Sequence, residues 1–234
     1  FSAGEISVIR GAAGARYGSD AIGGVILIEP PPLRQEGGVG GKALAGFSTN
    51  GLRPYGALRV DMAPNRVPGL SFRVEGNLGR GASLQTPDYV LGNTASEVWN
   101  VGATVGYETD SSQFRASWHH YDFRAGVFYG VTHSTPSEFV STVDAGKPVS
   151  SDLWTQSYII DRPYQDVSHD IVMAKAITTG EWGSLDSAYA FQINQRQEFD
   201  QVRESVSGSQ YDFTLRTHSL DVLYQQPVVV LPFG

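Results

Sequence analysis

Apolar and polar side chains alternate with a period of two through most of the chain after residue 38. Successive side chains of a β-strand point to opposite faces, so this period predicts strands with one apolar and one polar face. We expect eight strands, of which the first is the weakest. They cover residues 39–48, 55–62, 70–78, 98–107, 113–121, 166–177, 185–199 and 213–224.

Two of these segments are less regular than the others. In 166–177, His169 and Lys175 share a face with the apolar residues Ile171 and Met173. In 213–224 the apolar positions change phase near Thr217. A β-bulge adds one residue to a strand and so exchanges its faces, and we therefore expect a bulge there.

The connections between the predicted strands alternate between short and long after the first of them. They cover residues 49–54, 63–69, 79–97, 108–112, 122–165, 178–184 and 200–212. In an antiparallel meander, every second connection lies at the same end of the sheet, so the long ones fall together. Outer-membrane barrels have this asymmetry, with short periplasmic turns and longer extracellular loops.

The beginning of the chain has a different pattern. Apolar runs at 6–9 and 25–28 predict two short strands, and the glycine-spaced segment between them predicts a reversal of the chain. Pro30, Pro31 and Pro32 follow, and because proline has no N–H to donate to a sheet ladder, the triplet marks a boundary. We divide the chain into a first domain at 1–32, a linker at 33–38 and a second domain at 39–234.

Composition excludes several classes of function. The 234 residues contain no cysteine, which rules out disulfides and thiolate metal sites, and the net charge of -7 argues against a nucleic-acid surface. No apolar run reaches the roughly 20 residues of a membrane-spanning helix, whereas a transmembrane strand needs only about 9–11 alternating residues. The 11 Tyr, 11 Phe and 4 Trp suit the aromatic girdles of a membrane barrel, and a soluble β-sandwich shares this profile.

The string from Ile6 to Ile28 resembles the end of the plug domain of TonB-dependent outer-membrane receptors. It reads I-x-V-I-R-G-x-x-x-A-R-Y-G-S-x-A-I-G-G-V-I-x-I, and Ala12 stands where the family usually has proline. The plug positions that match are Arg10, Gly11, Arg16, Tyr17, Gly18, Gly23 and Gly24. The resemblance implies an all-β fold: about eight strands of a transmembrane antiparallel β-barrel of 22 strands, preceded by the last segment of an α/β plug domain.

The same resemblance implies a function in the bacterial outer membrane. Such receptors take up a scarce substrate, typically a ferric siderophore and otherwise haem or cobalamin. The implied partners are outer-membrane lipid, a small iron chelate, and a TonB-type energy-transducing complex that binds a segment expected to lie outside these residues. We expect a piece of a longer protein with no cofactor. We also expect no enzymatic activity, because the sequence has no nucleophile elbow, phosphate loop or zinc signature.

Plug arginines of this family pair with barrel carboxylates and hold the plug in its channel. By that resemblance, Arg10 and Arg16 are the plug-side candidates, and Arg196 and Glu198 are the barrel-side ones. Parity in 185–199 places the polar side chains of Gln192, Asn194, Arg196 and Glu198 opposite Tyr189, Phe191 and Ile193. If the apolar set faces lipid, the polar set faces the lumen. The alternative is a solvated lumen charge or a local ion pair.

The longest connection, 122–165, is rich in aromatic residues. Loops longer than about 15 residues are usually functional or disordered, and aromatic side chains favour a role in gripping a bulky ligand by stacking. The candidates are Phe128, Tyr129, Trp154 and Tyr158. The alternative is that these aromatics form the loop's own core. No metal site is expected, because His119 and His120 are adjacent on a strand and point to opposite faces.

Two other interpretations compete with the receptor. A non-transporting outer-membrane barrel or adhesin explains the alternation, and so does a secreted carbohydrate-binding β-sandwich. The side chains that distinguish them are Trp99, Trp118, Leu185 and Phe191, which contact lipid in a barrel and lie in a dry core in a sandwich.

Overall fold

The structure is a computed structural model that describes residues 4–11, 21, 23–131, 135–200 and 207–227. A two-stranded antiparallel sheet comes first, formed by β1 (Glu5–Arg10) and β2 (Gly24–Glu29). Ile6 lies opposite Ile28 and Val8 opposite Ile26. The two short strands predicted from the apolar runs are therefore present, and the intervening segment 12–20 lies outside the described residues.

The rest of the chain forms one eight-stranded antiparallel sheet in which each strand pairs with its neighbours in sequence. The fold class predicted from the alternation, an arc of an antiparallel barrel, is confirmed. The strands are β3 (Gly38–Ser48), β4 (Arg53–Ala63), β5 (Leu70–Gly81), β6 (Ser96–Glu108), β7 (Ser112–Gly126), β8 (Tyr164–Gly180), β9 (Gly183–Phe199) and β10 (Tyr211–Gln225). The division at 32 and 38 stays a prediction.

The bulge predicted in the last strand is wrong. The pairing of β10 with β9 runs without interruption, with Thr217 opposite Gln192 and His218 opposite Phe191. The change of phase has another cause. On the outer face, the residues up to Arg216 are polar and those from Leu220 onward are apolar. On the inner face, Phe213 and Leu215 are apolar and Thr217 and Ser219 are polar, so both faces change character along an unbroken strand.

The connections lie at two ends of the sheet, as predicted. Residues 49–52, 82–95, 127–163 and 200–210 join strands at one end, and the shorter segments 64–69, 109–111 and 181–182 join them at the other. Within the described residues, the longest connection contains helix α1 (Pro136–Ala145). Thr135 caps it by accepting a hydrogen bond from the Glu138 N–H at 3.2 Å, and Gly146 ends it in the left-handed conformation with φ 65°.

The two faces of the large sheet have opposite character. The inner face, which contacts the linker, buries the polar residues Ser71, Arg73 and Glu75. The outer face exposes large apolar side chains: Trp99 is 46% exposed and Trp118 41%. A soluble sandwich buries its apolar face, so this arrangement is the reverse of the one it requires.

The border between polar and apolar side chains on the outer face runs obliquely across the strands. On β5 the first apolar residue below the long loops is Leu78, whereas on β10 it is Leu220, which lies in the row of residues that contains Phe72. A drop from residue 78 to residue 72 at about 3.4 Å per residue, over five strand spacings of about 4.8 Å, is a slope of about 40°. Strands of membrane barrels tilt by about 35–45° to the membrane normal.

Above this border, five charged side chains and one glutamine form what we call the outer charge row. Its members occupy one register row across six strands: Arg80, Glu97, Arg124, Asp166, Gln197 and Asp212. Arg80 Nε lies 4.0 Å from Glu97 Oε2, and Arg124 pairs with both Glu97 and Asp166. Opposite charges directly across neighbouring strands stabilise a sheet, so the row supports the pairing of β5 to β8.

Several strands extend further than the alternation predicted, and β7 shows the reason. β7 continues to Gly126, past the predicted end at residue 121, and its outward residues in this extension are Asp122 and Arg124. The outer face is polar there and Phe123 faces inward, so the alternation is out of phase with that of the apolar band while the backbone ladder continues. Hydrophobic alternation therefore reports the apolar band of the sheet and not the full length of its strands.

Candidate functional site: the linker and the inner wall

The proline segment that leads into the linker contacts a buried ion pair on the inner face of the sheet. Arg73 Nε donates to Asp61 Oδ1 at 2.7 Å, and its Nη1 and Nη2 donate to the carbonyl oxygens of Pro31 and Pro32, both at 2.8 Å. Arg59 Nε donates to the second oxygen of Asp61 at 3.1 Å. We call Arg73, Asp61 and the two proline carbonyls the linker clamp.

Strand register places the clamp. Asp61 on β4 lies directly opposite Arg73 on β5, so the two side chains project from the same face as neighbours. The planar guanidinium has a rigid fork of donors, and two successive carbonyls of an extended proline segment match its spacing. Proline carbonyls accept hydrogen bonds but proline has no N–H, so this segment meets the wall through its acceptors alone.

Contacts on either side of the clamp extend this attachment. Leu33 is buried, and a Cβ at Gly106 would lie 2.4 Å from Leu33 Cδ1, so a larger residue at 106 would force this side chain to move. Gln35 Nε2 donates to Glu108 Oε2 at 2.7 Å. The linker therefore lies against β4, β5 and β6 before it becomes β3.

Glu75 is a polar residue of this wall that the sequence did not single out as a site. It is 7% exposed, and its Oε2 has no hydrogen-bond partner in the part of the chain that the structure describes. A buried carboxylate oxygen without a donor is unfavourable, and such groups mark places where a cation is expected to bind. The alternation placed Glu75 on the polar face, but its burial depends on the folded wall.

Predicted barrel-side residues lie on β9. Arg196 Nη2 is 2.5 Å from Glu198 Oε1, so the two candidates form an ion pair with each other. On the plug side, Arg10 ends β1 opposite Gly24, and no ion pair of Arg10 occurs among the described residues. Gly11 follows β1, and Gly23 precedes β2. Arg16, Tyr17 and Gly18 lie outside the described residues, and the contact of Arg10 or Arg16 with Glu198 stays a prediction.

Three of the four predicted ligand aromatics come together in the longest loop. The ring of Trp154 lies 5.6 Å from that of Phe128 in an edge-to-face contact and 6.1 Å from that of Tyr129. All three side chains are half-buried. Tyr158 lies apart from them: its hydroxyl donates to the carbonyl of Leu52, and its ring lies 5.4 Å from the Arg80 guanidinium.

Two polar side chains join the loops at this end of the sheet. Asn93 Nδ2 donates to the carbonyls of Val127 and Pro163 at 3.0 and 2.8 Å, and its Oδ1 accepts from the Asp161 N–H at 2.9 Å. Arg162 donates from Nη2 to the Gly208 carbonyl at 2.9 Å and from Nη1 to Gln210. Loops 82–95, 127–163 and 200–210 are thus bonded into one assembly.

The histidines that were predicted to point apart do so. His119 projects from the inner face, and His120 projects from the outer face, where its ring is 4.7 Å from that of Trp99 and its Nδ1 is 3.0 Å from Asp170 Oδ1. No group of three or more side chains suited to a metal ion occurs among the described residues. In those same residues, no helix has the length and apolar character needed to cross a membrane.

Comparison with known proteins gives a structural match only. No family model matches the sequence, and no curated protein matches it either. The solved structure of the ferric-catecholate import receptor Fiu from E. coli K12, in its closed form, superposes with a TM-score of 0.62 at 15% identity. The superposition covers 94% of this chain and 32% of that receptor. At this identity the match establishes the fold alone: the chain is similar in fold to about a third of that solved chain.

Proposed function

We propose that the chain is part of a bacterial outer-membrane receptor, with the eight-stranded sheet in the membrane. The oblique border on the outer face is the observation that carries this proposal. An apolar band that crosses the strands at about 40° is what a flat bilayer requires of strands tilted by about 35–45°. A soluble protein has no reason to align its exposed apolar side chains in this way.

Membrane location is tested by spin-label accessibility along β9 in the full-length protein in lipid. Labels at Leu185, Tyr189, Phe191 and Ile193 should be accessible to oxygen, and labels at Gln192, Asn194 and Glu198 should not. Alternating oxygen access would support the barrel. Burial of the apolar set from both oxygen and water would contradict it and would favour a soluble sandwich.

The receptor's activity, in this proposal, is energy-dependent uptake of a ferric siderophore, with haem or cobalamin as the alternatives. The structural relative is an import receptor for ferric catecholates, and the sequence string before the barrel resembles a plug. A TonB-type complex is the proposed energy source. In this role the linker clamp keeps the last plug segment attached to the wall while the plug moves.

Plug retention then depends on charge pairs across the lumen. Arg10 or Arg16 pairs with Glu198 in this proposal, and Glu75 offers a second acceptor because its Oε2 is buried without a donor. Charge reversal at Glu198 or Glu75 should loosen the plug and let small antibiotics enter the cell. Unchanged antibiotic sensitivity in both variants would contradict the assignment.

Ligand capture is proposed for the aromatic cluster of Phe128, Tyr129 and Trp154, with Tyr158. Truncation of an anchoring aromatic typically weakens binding by about tenfold or more, so Trp154→Ala should do so for a ferric catecholate in the full-length protein. Leu153→Ala is the matched control, because Leu153 is adjacent and fully outside the cluster. Equal affinities for both variants would assign the cluster to the loop's own core.

A further inference from the structure

Arg34 in the linker lies half-buried without a partner. Its Nε is fully buried, and no hydrogen bond or ion pair of its guanidinium occurs in the described part of the chain. An arginine side chain is always charged and has five N–H donors. A buried charged donor with no acceptor is unfavourable, and a group that satisfies it is therefore expected.

The position of Arg34 is set by the glycine-rich start of β3. Its Nη1 would lie 3.0 Å from a Cβ built at Gly40, and its Nη2 would lie 3.8 Å from one built at Gly38. The guanidinium thus lies flat against backbone that has no side chain in the way. A residue larger than glycine at 40 would push it off the strand.

Arg59 faces the same space from β4. Its Nε is bonded to Asp61, but its Nη groups have no hydrogen bond among the described residues, and its side chain is largely buried. Lys42 lies directly opposite it on β3, and like charges in that position destabilise a sheet. An anion beside Arg59 would relieve this repulsion.

The carboxylates near this space do not fill this role. Glu75 lies directly opposite Arg59 on β5, but no hydrogen bond or ion pair joins the two in the described part of the chain. Both oxygens of Asp61 are bonded, one to Arg73 and the other to Arg59. Arg73 uses each of its three nitrogens within the linker clamp, which leaves it one further N–H on Nη1 and one on Nη2. Glu36, which also lines this space, is exposed to solvent. Among the described residues, the guanidinium nitrogens of this space that make no hydrogen bond are therefore those of Arg34 and the two Nη groups of Arg59.

Between these two guanidiniums lies a cavity of about 390 Å³, bounded by Pro32, Arg34, Gly40, Arg59 and Asp61. We propose that this cavity is a binding site for a small oxyanion, a phosphate or a carboxylate, held between Arg34 of the linker and Arg59 of the barrel wall. Guanidinium groups bind both anions through paired N–H donors. The bound anion would fasten the linker to the wall at a second point beside the linker clamp.

Equilibrium dialysis of radiolabelled inorganic phosphate against the full-length protein in detergent tests the site. Wild type should bind phosphate saturably at one site per chain, and Arg34→Gln should weaken binding at least tenfold. Arg34→Lys keeps the charge but lacks the fork, so it should bind with intermediate affinity. Arg66→Gln is the control, because Arg66 is exposed in the neighbouring turn 64–69 and should leave binding unchanged.

Absence of saturable binding by wild type, or equal binding by Arg34→Gln, would overturn the proposal. Competition by acetate would show that the site accepts carboxylates as well, whereas saturable phosphate binding that acetate does not reduce would restrict it to phosphate. Both results would support the site and would identify its anion. The assay does not depend on uptake, so its outcome is independent of the proposed transport function.

Discussion

The linker clamp and the outer charge row are both networks built on arginine and carboxylate, and they lie on opposite faces of the large sheet. In the clamp, the Arg73 side chain is 4% exposed and every donor nitrogen of its fork has a fixed acceptor. In the row, the Arg124 side chain is 44% exposed. The two networks have the same chemistry, but water reaches the side chains of the row and not those of the clamp.

This difference decides what each network contributes to the fold. Breaking a buried pair by removing one partner leaves an uncompensated charge and typically costs about 3–5 kcal/mol, whereas an exposed pair contributes about 0.2–1 kcal/mol because water screens it. The clamp should therefore fix the linker to the wall, while the row should only adjust the pairing of strands that the backbone ladder already holds.

Arg73→Gln should have the largest effect. It removes the partner of buried Asp61 and the donors to two proline carbonyls, so we expect a loss of about 3–5 kcal/mol in the free energy of unfolding. Urea unfolding of the full-length protein in detergent measures it, with Arg66→Gln as the surface control. A loss below about 1 kcal/mol would place the clamp in the same class as the outer row.

Gly106→Ala tests whether the linker's apolar contact depends on close packing. The new Cβ would lie 2.4 Å from Leu33 Cδ1, and overpacking of this kind costs about 1–3 kcal/mol. Adding Leu33→Ala removes the clash, so the double variant should be more stable than the sum of the single effects predicts. Strict additivity in the same urea assay would show that the two residues do not touch.

Asn93→Ala tests the uncharged hydrogen-bond network that joins the loops. Its effect on stability should lie between those of the linker clamp and the outer charge row. It leaves two carbonyls and one N–H of the loops without their partner, at about 1–3 kcal/mol for each buried group that water does not reach. Hydrogen exchange in residues 127–163 should become faster. Asn93 has φ 61°, so Asn93→Gly is the control that keeps this backbone conformation; slow exchange in it would contradict a role for the side chain.

Arg124→Gln should have the smallest effect, below about 1 kcal/mol, since its pairs with Glu97 and Asp166 are exposed. A double-mutant cycle with Asp166→Asn isolates the interaction of this pair in urea unfolding. We expect a coupling of about 0.2–1 kcal/mol that decreases with added salt. A coupling as large as that of a buried pair would show that the ion pairs of the two faces do not differ in strength.

The strands of the large sheet were predictable because their information is local. In β5, Ser71 and Arg73 alternate with Phe72 and Val74, and this parity alone assigns the polar pair to one face. The bulge expected in β10 shows the limit of the same signal. The apolar–polar alternation assigns residues to faces only where each face keeps one environment along the strand. The environment of β10 changes at the oblique border.

The candidate site was less predictable because its contacts are distant in sequence. Arg73 lies two strand connections after Pro31 and Pro32, on the third strand of the large sheet, and no local pattern around residue 73 predicts this contact. The plug arginines became candidates because they belong to a known sequence motif, whereas Arg34 and Glu75 belong to none. Helix α1 was an exception, since Thr135, Pro136 and Gly146 are ordinary local signals for its two ends and were overlooked.

The oblique border also bears on how the strands find their partners during assembly. On the outer face, each strand changes from polar to apolar at a residue that depends on its place in the sheet. The position of this residue sets the depth of the strand in the bilayer. Sliding β7 by six residues toward the short turns would bring Arg124 to the level of Trp118, inside the apolar band. A basic side chain there costs about 0–1 kcal/mol near the interface and about 2–4 kcal/mol at the bilayer midplane. The bilayer would thus disfavour wrong strand registers, even where those registers form equally good backbone hydrogen bonds.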